Sequence, residues 1–405
     1  MAELGETPRG SRVHVAFFGL RNAGKSTLVN EFTGQPLAIV SDVAGTTTDP
    51  VSKAMEILPL GPCLVTDTAG LDDEGELGEM RVRRTLDVLD TTDIAVWVAT
   101  DGESDAPYMR RLSDGCARRG VPLFVFRRGD SVEALKAKIA AAKVSEVPPP
   151  LLEGLAEPGD CVVCVCPIDE SAPKGRLILP QVQLVRECLD LGATCVVCQP
   201  DRLAESLERA SRGPAATGAP GSRRPPLVVT DSQAFGEVRR VLEGRDARLT
   251  SFSILFARQK GDLDEYMKGL EAVKSLKDGD RVLVAEGCTH RRQCNDIGTV
   301  KIPKALRRMT GRELEFSFAS GAAFDPVGGG PFALAVQCGG CMLTRREVLR
   351  RIARCRAAGV PVVNYGMLLA AASGLDVAAA VPLPVAGRSP QAAAVTGYSA
   401  GRGEI

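Results

Sequence analysis

Short apolar runs recur along the chain and are separated by segments long enough to form helices. The runs at residues 13–18, 123–126 and 161–165 have the length and the β-branched or aromatic content of buried strands. Because strands that alternate with helices form parallel sheets, the pattern predicts an α/β fold along the whole chain.

A proline-rich and glycine-rich stretch at residues 146–159 interrupts this pattern and predicts a linker. We therefore expect a first domain over residues 1–147. Two smaller α/β domains with mainly parallel sheets are expected over residues 160–257 and 258–405.

The second domain contains no acid–base pair and no nucleophile–histidine set, so we interpret it as a structural domain for self-association. Its predicted strands lie at residues 161–165, 193–197, 227–229 and 249–256.

The formal net charge is zero, because 50 Lys and Arg residues balance 50 Asp and Glu residues. This balance gives no global attraction toward nucleic acid or an anionic membrane, and neither is expected as a partner. A basic cluster, Arg345, Arg346, Arg350 and Arg351, is interpreted as a solvated helix face, with RNA contact as the alternative. No run approaches the ~20 apolar residues of a membrane helix. We therefore predict a cytoplasmic protein, or one of the plastid stroma if a transit peptide has been removed.

The chain has 13 cysteines, and several of them lie inside apolar runs, where we interpret them as buried strand thiols. Alternating strand side chains point to opposite faces of a sheet, so these thiols are not expected to converge on a metal. The residues concerned are Cys161, Cys164, Cys166, Cys195 and Cys198.

The first predicted strand ends in a phosphate-binding motif. Residues 19–26 read Gly-Leu-Arg-Asn-Ala-Gly-Lys-Ser and match Gly-x-x-x-x-Gly-Lys-Ser/Thr between a strand and a helix. The glycines let backbone N–H groups close around phosphate oxygens, and the following helix N-terminus adds positive potential. Lys25 supplies a charge to the outer phosphates, and Ser26 supplies a ligand for Mg²⁺.

Two further segments complete the pattern of a GTPase. Residues 43–49 form a polar loop in which Thr47, or else Thr46, is expected to bind Mg²⁺. Residues 64–70 predict a strand that ends in Asp67 and is followed by a turn to Gly70. Asp67 is expected to hold the water shell of Mg²⁺, and Gly70 is expected to offer its N–H to the terminal phosphate. The predicted catalytic residues are Lys25, Thr47, Asp67 and Gly70.

Recognition of the base is expected where the strand at residues 123–126 ends. GTPases carry Asn-Lys-x-Asp at this point, whereas this chain reads Arg-Arg-Gly-Asp at residues 127–130, so guanine selectivity stays open. The residues predicted to bind the nucleotide and its ions are Gly19, Asn22, Ala23, Gly24, Lys25, Ser26, Thr27, Thr46, Thr47, Asp67, Gly70 and Asp130.

The rate of hydrolysis is expected to be low. Leu71 follows Gly70, where many signalling GTPases carry a Gln that orients water. Asn22, together with Gly-Thr-Thr at residues 45–47, resembles the potassium-activated GTPases of the TrmE–Era group, which implies stimulation by K⁺. The alternative for Asn22 is a simple turn residue.

Cysteines of the third domain follow two predicted strands, at residues 281–285 and 332–336. If these strands are parallel neighbours, Cys288, Cys338 and Cys341 meet at one edge of the sheet. Three thiolates, with His290 as a fourth ligand, could hold zinc or an iron–sulfur cluster.

Taken together, these segments resemble the HydF family of GTPases, which serve [FeFe]-hydrogenase maturation. The resemblance covers nearly the whole chain. It rests on residues 22–26, 45–51, 67–75 and 172–183, on Cys288-Thr289-His290, and on Cys338-Gly339-Gly340-Cys341.

The resemblance implies a [4Fe–4S] cluster on Cys288, Cys338 and Cys341, and a transient diiron precursor that the protein assembles or carries. It also implies a homodimer whose partners are radical-SAM maturases and apo-[FeFe]-hydrogenase. The histidine that usually precedes the last cysteine pair is Gln337 here. The fourth iron is therefore expected to be open, or bound by His290, a carboxylate or water.

Three other functions stay open on sequence grounds. A tRNA-modifying or ribosome-associated GTPase would need an RNA-binding or methylene-transfer domain, and the late cysteines argue against it. An iron–sulfur carrier with a degenerate GTPase domain would explain Arg127 and Arg128. A zinc protein would use the same cysteines.

Overall fold

A computed structural model describes the chain in eleven segments, and the structural statements below concern these residues. They are residues 9–34, 51–71, 88–100, 106–143, 148–168, 177–212, 224–287, 296–321, 324–328, 330–340 and 343–380. Three sheets occur in them, one after another along the chain, and parallel pairing dominates all three. The predicted α/β fold class is thus confirmed.

The first sheet has the strand order β2-β3-β1-β4-β5, in which only β2 is antiparallel to its neighbour. Its strands are β1 (Val13–Gly19), β2 (Val51–Ile57), β3 (Gly61–Asp67), β4 (Ile94–Val98) and β5 (Leu123–Phe126). The helices of this part are α1 (Lys25–Thr33), α2 (Ala106–Arg119) and α3 (Val132–Ala140). The neighbours β3-β1-β4-β5 are all parallel, so the carboxyl ends of these four strands lie at the same edge of the sheet.

The second sheet is fully parallel and has the order β7-β6-β8-β9. Its strands are β6 (Cys161–Val165), β7 (Thr194–Cys198), β8 (Leu227–Thr230) and β9 (Arg248–Ser251). The helices are α4 (Leu179–Leu191), α5 (Leu203–Arg212), α6 (Phe235–Leu242) and α7 (Phe252–Lys260).

The prediction of a strand at residues 249–256 is wrong after Ser251. The chain forms β9 and then turns directly into α7, because the Ser251 hydroxyl accepts from the N–H of Ile254 at 3.1 Å and caps the helix. Ile254, Leu255 and Phe256 are all buried. Every side chain of residues 252–257 except that of Ser253 is buried, so this half of the helix shows no 3.6-residue period and its sequence looks like a buried strand.

The third sheet is also fully parallel and has the order β11-β10-β12-β13. Its strands are β10 (Arg281–Glu286), β11 (Glu315–Ser320), β12 (Leu334–Gln337) and β13 (Val362–Asn364). The helices are α8 (Leu263–Ala272), α9 (Ile302–Thr310), α10 (Arg345–Ala357), α11 (Tyr365–Ala372) and α12 (Val377–Ala380).

Short helical turns complete the described structure, and none of its helices is long and apolar enough to cross a membrane. The turns are the 3₁₀ segments Arg9–Ser11, Pro200–Arg202, Ser232–Ala234 and Val273–Ser275 and the π-helical segment Ile297–Lys301.

Candidate functional site

The phosphate loop leaves β1 at Gly19 and enters α1 at Lys25. A Cβ atom on Gly19 would lie 2.6 Å from the carbonyl oxygen of Val98, so β4 leaves no room for a side chain there. Asn22 and Gly24 have φ angles of 58° and 85°, in the left-handed region. Gly24 occupies the N-cap of α1. The loop thus adopts a backbone that needs small residues and ends at a helix N-terminus, where phosphate is favoured.

Lys25 lies folded inside this loop. Its Nζ donates to the carbonyl oxygen of Leu20 at 2.6 Å and to that of Gly19 at 3.3 Å, and the side chain is buried. The ammonium group is therefore held at the concave face of the loop, where it can meet phosphate oxygens.

Ser26 and Asp67 meet beside the phosphate loop. The Ser26 hydroxyl donates to Asp67 Oδ2 at 2.6 Å. Asp67 Oδ1 is buried and has no hydrogen-bond partner among the described residues. Burial raises the pKa of Asp67, although the Ser26 hydroxyl and the Lys25 charge oppose this. Two adjacent oxygen donors, one of them unsatisfied, fit a Mg²⁺ ion and its water shell.

The segment after β3 is tied to β1. The Thr68 hydroxyl donates to the carbonyl oxygen of Phe17 at 2.8 Å, and the Leu71 N–H donates to that of Gly19 at 3.3 Å. These bonds hold Gly70 next to the phosphate loop. Thr46 and Thr47, the expected Mg²⁺ ligands of the polar loop, lie outside the described residues.

Asp130 lies at the same edge of the first sheet, in the turn between β5 and α3. Its Oδ2 accepts from the backbone N–H of Arg127 at 2.8 Å, and the turn is exposed. Gly129 has a φ of 91°, which lets the chain turn back toward α3. Sequence reasoning placed Asp130 at the base site, and its position at this edge is compatible with that role.

The cysteine edge lies where β10 and β12 end. These strands are parallel neighbours, with Ala285 opposite Gln337. The backbone N–H of Gly287 donates to Cys338 Sγ at 3.0 Å, and the Cys338 N–H donates to the carbonyl oxygen of Ala285 at 2.9 Å. Cys338 Sγ is thus in contact with the residue that immediately precedes Cys288.

Cys288, His290 and Cys341 lie outside the described residues, and no group of three metal-ligating side chains occurs within them. The described part of the edge nevertheless fits a thiolate-bound cluster. An N–H group directed at a sulfur is a feature that tunes such clusters, and a buried cation is bonded to the backbone of the Cys338-Gly339-Gly340 segment.

That cation is Lys260, which sequence reasoning missed. It ends α7, is buried, and its Nζ donates to the carbonyl oxygens of Gly340 and Leu343 at 3.0 Å each. The signal available in the sequence was a lysine at the end of a largely apolar segment. A lysine in that setting is buried only when it has partners.

Gln337, which replaces the family's histidine, is bonded to helix α8. Its side chain is buried and its Nε2 donates to the Tyr266 hydroxyl of α8. Tyr266 is itself fully buried, and burial raises its pKa. In this conformation Gln337 is a core residue of the third domain.

The basic cluster of α10 is not a solvated face, and that prediction is wrong for two of its members. Arg346 and Arg351 are buried, and both donate to groups far away in the chain. Because their guanidinium groups are bonded inside the molecule, Arg346 and Arg351 do not belong to the solvated basic face that RNA contact would use.

The middle-domain thiols agree in part with the expectation of burial. Cys164 and Cys166 are buried, whereas Cys161, Cys195 and Cys198 are half-buried. Burial raises the pKa of Cys166 to about 12, so this thiol is protonated and unreactive at neutral pH.

The fold and the phosphate loop at the carboxyl edge of the first sheet define a P-loop GTPase. Two parallel α/β domains follow it in the chain. Residues 14–126 match the family model of a 50S ribosome-binding GTPase. Residues 151–261 match the hydrogen maturase F dimerization domain, and residues 264–379 match the hydrogen maturase F tetramerization domain. These last two models together cover more than half of the 405 residues, and the chain belongs to the hydrogen maturase F family.

Curated relatives resemble the first domain. The tRNA modification GTPase MnmE of Maricaulis maris is 36% identical over 159 residues, which are 34% of this chain and 35% of the relative. GTPase Der of Wolinella succinogenes is 40% identical over 99 residues, 24% of this chain and 20% of the relative. The chain thus spans about a third or less of these relatives' length.

Among solved structures, Aquifex aeolicus Era bound to GDP and aluminium fluoride is 17% identical. The alignment covers 76% of this chain and 93% of that chain, with a TM-score of 0.25.

Proposed function

We propose that this chain is a GTP-hydrolysing scaffold of hydrogenase maturation. It holds a [4Fe–4S] cluster at the carboxyl edge of the third sheet and assembles or delivers a diiron precursor for [FeFe]-hydrogenase. The observation that carries the proposal is the bond from Gly287 N–H to Cys338 Sγ. It shows that the ends of β10 and β12 touch where Cys288 and the last cysteine pair follow in the sequence.

The cluster's proposed ligands are Cys288, Cys338 and Cys341, with His290 as the fourth. When bound, the cluster supplies an iron-bearing anchor for the diiron precursor. The protein's own part is to aim the sulfurs and to balance their charge. Lys260 Nζ donates to the carbonyl oxygen of Gly340, which lies between the two late cysteines in the sequence, and its charge would offset that of the thiolates.

For the nucleotide, we propose that the loop from Gly19 to Ser26 binds the phosphates of GTP. Ser26 and Thr47 would hold Mg²⁺, with Asp67 holding its water. Asn22 would hold K⁺, which would supply positive charge to the transition state, and Asp130 would bind the base. Because Leu71 cannot orient water, we expect slow hydrolysis that K⁺ stimulates.

The assembly test is anaerobic reconstitution with iron and sulfide, followed by EPR of the reduced protein. The wild-type chain and Cys198→Ser should show a [4Fe–4S] signal, and Cys338→Ser should lose it. Cys198 lies half-buried in the second domain and serves as the matched control. An unchanged cluster content in Cys338→Ser would contradict the proposed site. Zinc at stoichiometric amounts and no iron would favour the zinc protein instead.

The nucleotide test measures GTP hydrolysis in K⁺ and in Na⁺. Turnover that rises in K⁺ and disappears in Lys25→Ala supports the GTPase assignment. A chain that neither binds nor hydrolyses GTP would be an iron–sulfur carrier with a degenerate GTPase domain. Arg127 and Arg128, which replace the usual base-reading pair, are the observation that favours this second candidate.

As partners we propose a second copy of the chain, the radical-SAM maturases and apo-[FeFe]-hydrogenase, in the cytoplasm or the plastid stroma. The matching family models describe a dimerization and a tetramerization domain, which supports self-association. The role in tRNA modification belongs to relatives that match about a third of this chain.

A further inference from the structure

Helix α10 follows the Cys338-Gly339-Gly340-Cys341 segment almost directly. It begins at Arg345 with Thr344 as N-cap, whose hydroxyl accepts from the N–H of Glu347 at 3.2 Å. A movement of this helix therefore moves the cysteine segment that leads into it.

One face of α10 contacts the first domain through two arginines that lie one helical turn apart. Arg346 Nε lies 3.2 Å from Asp93 Oδ1, and Arg346 Nη1 donates to the carbonyl oxygen of Arg119 at 2.7 Å. Arg350 Nη2 lies 2.5 Å from Asp90 Oδ2. The Arg346 and Asp93 side chains are each 9% exposed, so this is a buried contact between domains.

Asp93 is in turn bonded to β1, the strand that leads into the phosphate loop. Its Oδ2 accepts from the backbone N–H of His14 at 2.9 Å, and its own N–H donates to the His14 carbonyl oxygen at 2.8 Å. From there β1 runs to Gly19, whose carbonyl oxygen accepts from both Lys25 Nζ and Leu71 N–H. One strand thus joins Asp93 to both phosphate-binding turns.

Another face of α10 holds the ends of β10 and β11. Arg351 Nη2 donates to the carbonyl oxygen of Gly321 at 2.7 Å, and Nη1 donates to that of Glu286 at 3.4 Å. Gly321 directly follows β11, and Glu286 is the last residue of β10, just before Gly287 and Cys288. The helix therefore bridges the GTPase domain and the end of β10, where the first half of the cysteine motif follows in the sequence.

We infer that helix α10 couples nucleotide binding in the first domain to the setting of the cysteine edge in the third, through Arg346 and Arg350. The inference rests on the proposed function, since it assigns a regulator to the proposed cluster site. A buried charge without its partner strongly destabilises the protein. Asp93 and Arg346 therefore either move together or separate at a cost in free energy. By linkage, occupancy of either site then changes the affinity of the other.

Hydrogen exchange of the full cluster-free chain tests the inference, with GDP and with a non-hydrolysable GTP analogue. In the wild-type chain, the change of nucleotide should alter exchange at residues 338–350 by about fivefold or more, the lower range of measured couplings. Arg350→Ala and Arg346→Ala should abolish this difference while nucleotide still binds. Arg350 is half-exposed, so its variant should remain folded if the buried Arg346 variant does not.

The matched control is Arg354→Ala on the same helix. Arg354 pairs with Asp325 inside the third domain at 3.3 Å and does not contact the first domain through a described bond. This variant should keep the wild-type response. An equal response in Arg350→Ala and wild type, or no response in a wild-type chain that binds nucleotide, would overturn the coupling. A wild-type chain that binds no nucleotide would instead contradict the proposed GTPase function.

Discussion

At the scale of single residues, the most informative side chains are those that are buried and only partly satisfied. Asp67 is one of them, because its Oδ2 accepts from Ser26 while its Oδ1 has no described partner. Motif spacing predicts Lys25, Ser26 and Asp67 from the sequence, since all three belong to short local patterns. It could not predict Lys260, whose bonded partner Gly340 lies 80 residues further along the chain.

Replacing Asp67 with Asn removes the charge and nearly keeps the shape. Mg²⁺-dependent nucleotide affinity should fall by about 10–100-fold, as when groups that orient a metal's shell are lost. Because burial raises the pKa of Asp67, the ionised carboxylate costs stability at neutral pH, and this cost grows as pH rises through that pKa. The metal-free variant should therefore melt at a higher temperature than wild type at pH 7. Titration with and without Mg²⁺ and thermal melts check both effects, and an unchanged Mg²⁺ dependence would contradict the assigned role.

Replacing Lys260 with Met removes the donor to the carbonyl oxygens of Gly340 and Leu343. The Gly340 oxygen keeps the N–H of Leu343 as a donor, so the Leu343 oxygen loses most. The free energy of unfolding should fall by about 1–3 kcal/mol. Lys268→Met is the matched control, because Lys268 is exposed and only pairs with Glu265 on its own helix. Its effect should stay within about 0.5 kcal/mol. Denaturant unfolding measures both, and equal effects of the two substitutions would show that the Lys260 bonds do not stabilise the third domain.

At the scale of elements, strands bounded by sharp turns could be predicted closely, and an apolar helix could not. The strands predicted at residues 123–126 and 161–165 occur as β5 and β6 with the same bounds. Helix α7 was predicted as part of a strand because nearly all of residues 252–257 are buried, which hides the helical period. Its helical state depends on the Ser251 cap and on packing against α11.

That packing depends on a glycine. A Cβ atom on Gly366 of α11 would lie 1.9 Å from Ser253 Cβ of α7, so Gly366→Ala should force the helices apart and cost about 1–3 kcal/mol. Gly236→Ala in α6 is the control, since its Cβ would meet no atom within 4 Å. That substitution should stabilise by about 0.5–1 kcal/mol, because alanine is the better helix former. Denaturant unfolding should show a lower midpoint than wild type for Gly366→Ala and a higher one for Gly236→Ala. An unchanged midpoint for Gly366→Ala would contradict the close approach of α7 and α11.

At the scale of the whole molecule, the three-part organisation follows from repeated α/β patterning, but the contacts between the parts do not. Arg346 and Arg350 look like a solvated basic stripe when only helical spacing is considered. Their partners Asp93 and Asp90 belong to another domain and are preceded by no recognisable motif. Such contacts depend on how separate sheets are placed, which periodicity and local motifs do not encode.

The second sheet carries a surface suited to self-association. At β9, the Thr250 hydroxyl donates to the carbonyl oxygen of Ala380 at the end of α12. The outer edge of β7 pairs with no strand among the described residues, and Val197 of β7 and Ile168 after β6 are 45% and 61% exposed. An open edge strand beside exposed apolar side chains is a template for pairing with another chain.

We therefore expect Val197→Lys to weaken the dimer. A lysine on an edge strand opposes pairing with a second copy of the chain, because its charge would be buried in the interface or would face the same charge on the other copy. Leu58→Lys is the control, because Leu58 is equally apolar and 76% exposed but lies in the first domain. Light scattering after size exclusion should show a shift toward monomer for Val197→Lys alone. If both variants keep the wild-type mass, the open edge of β7 is not the surface through which copies of the chain associate.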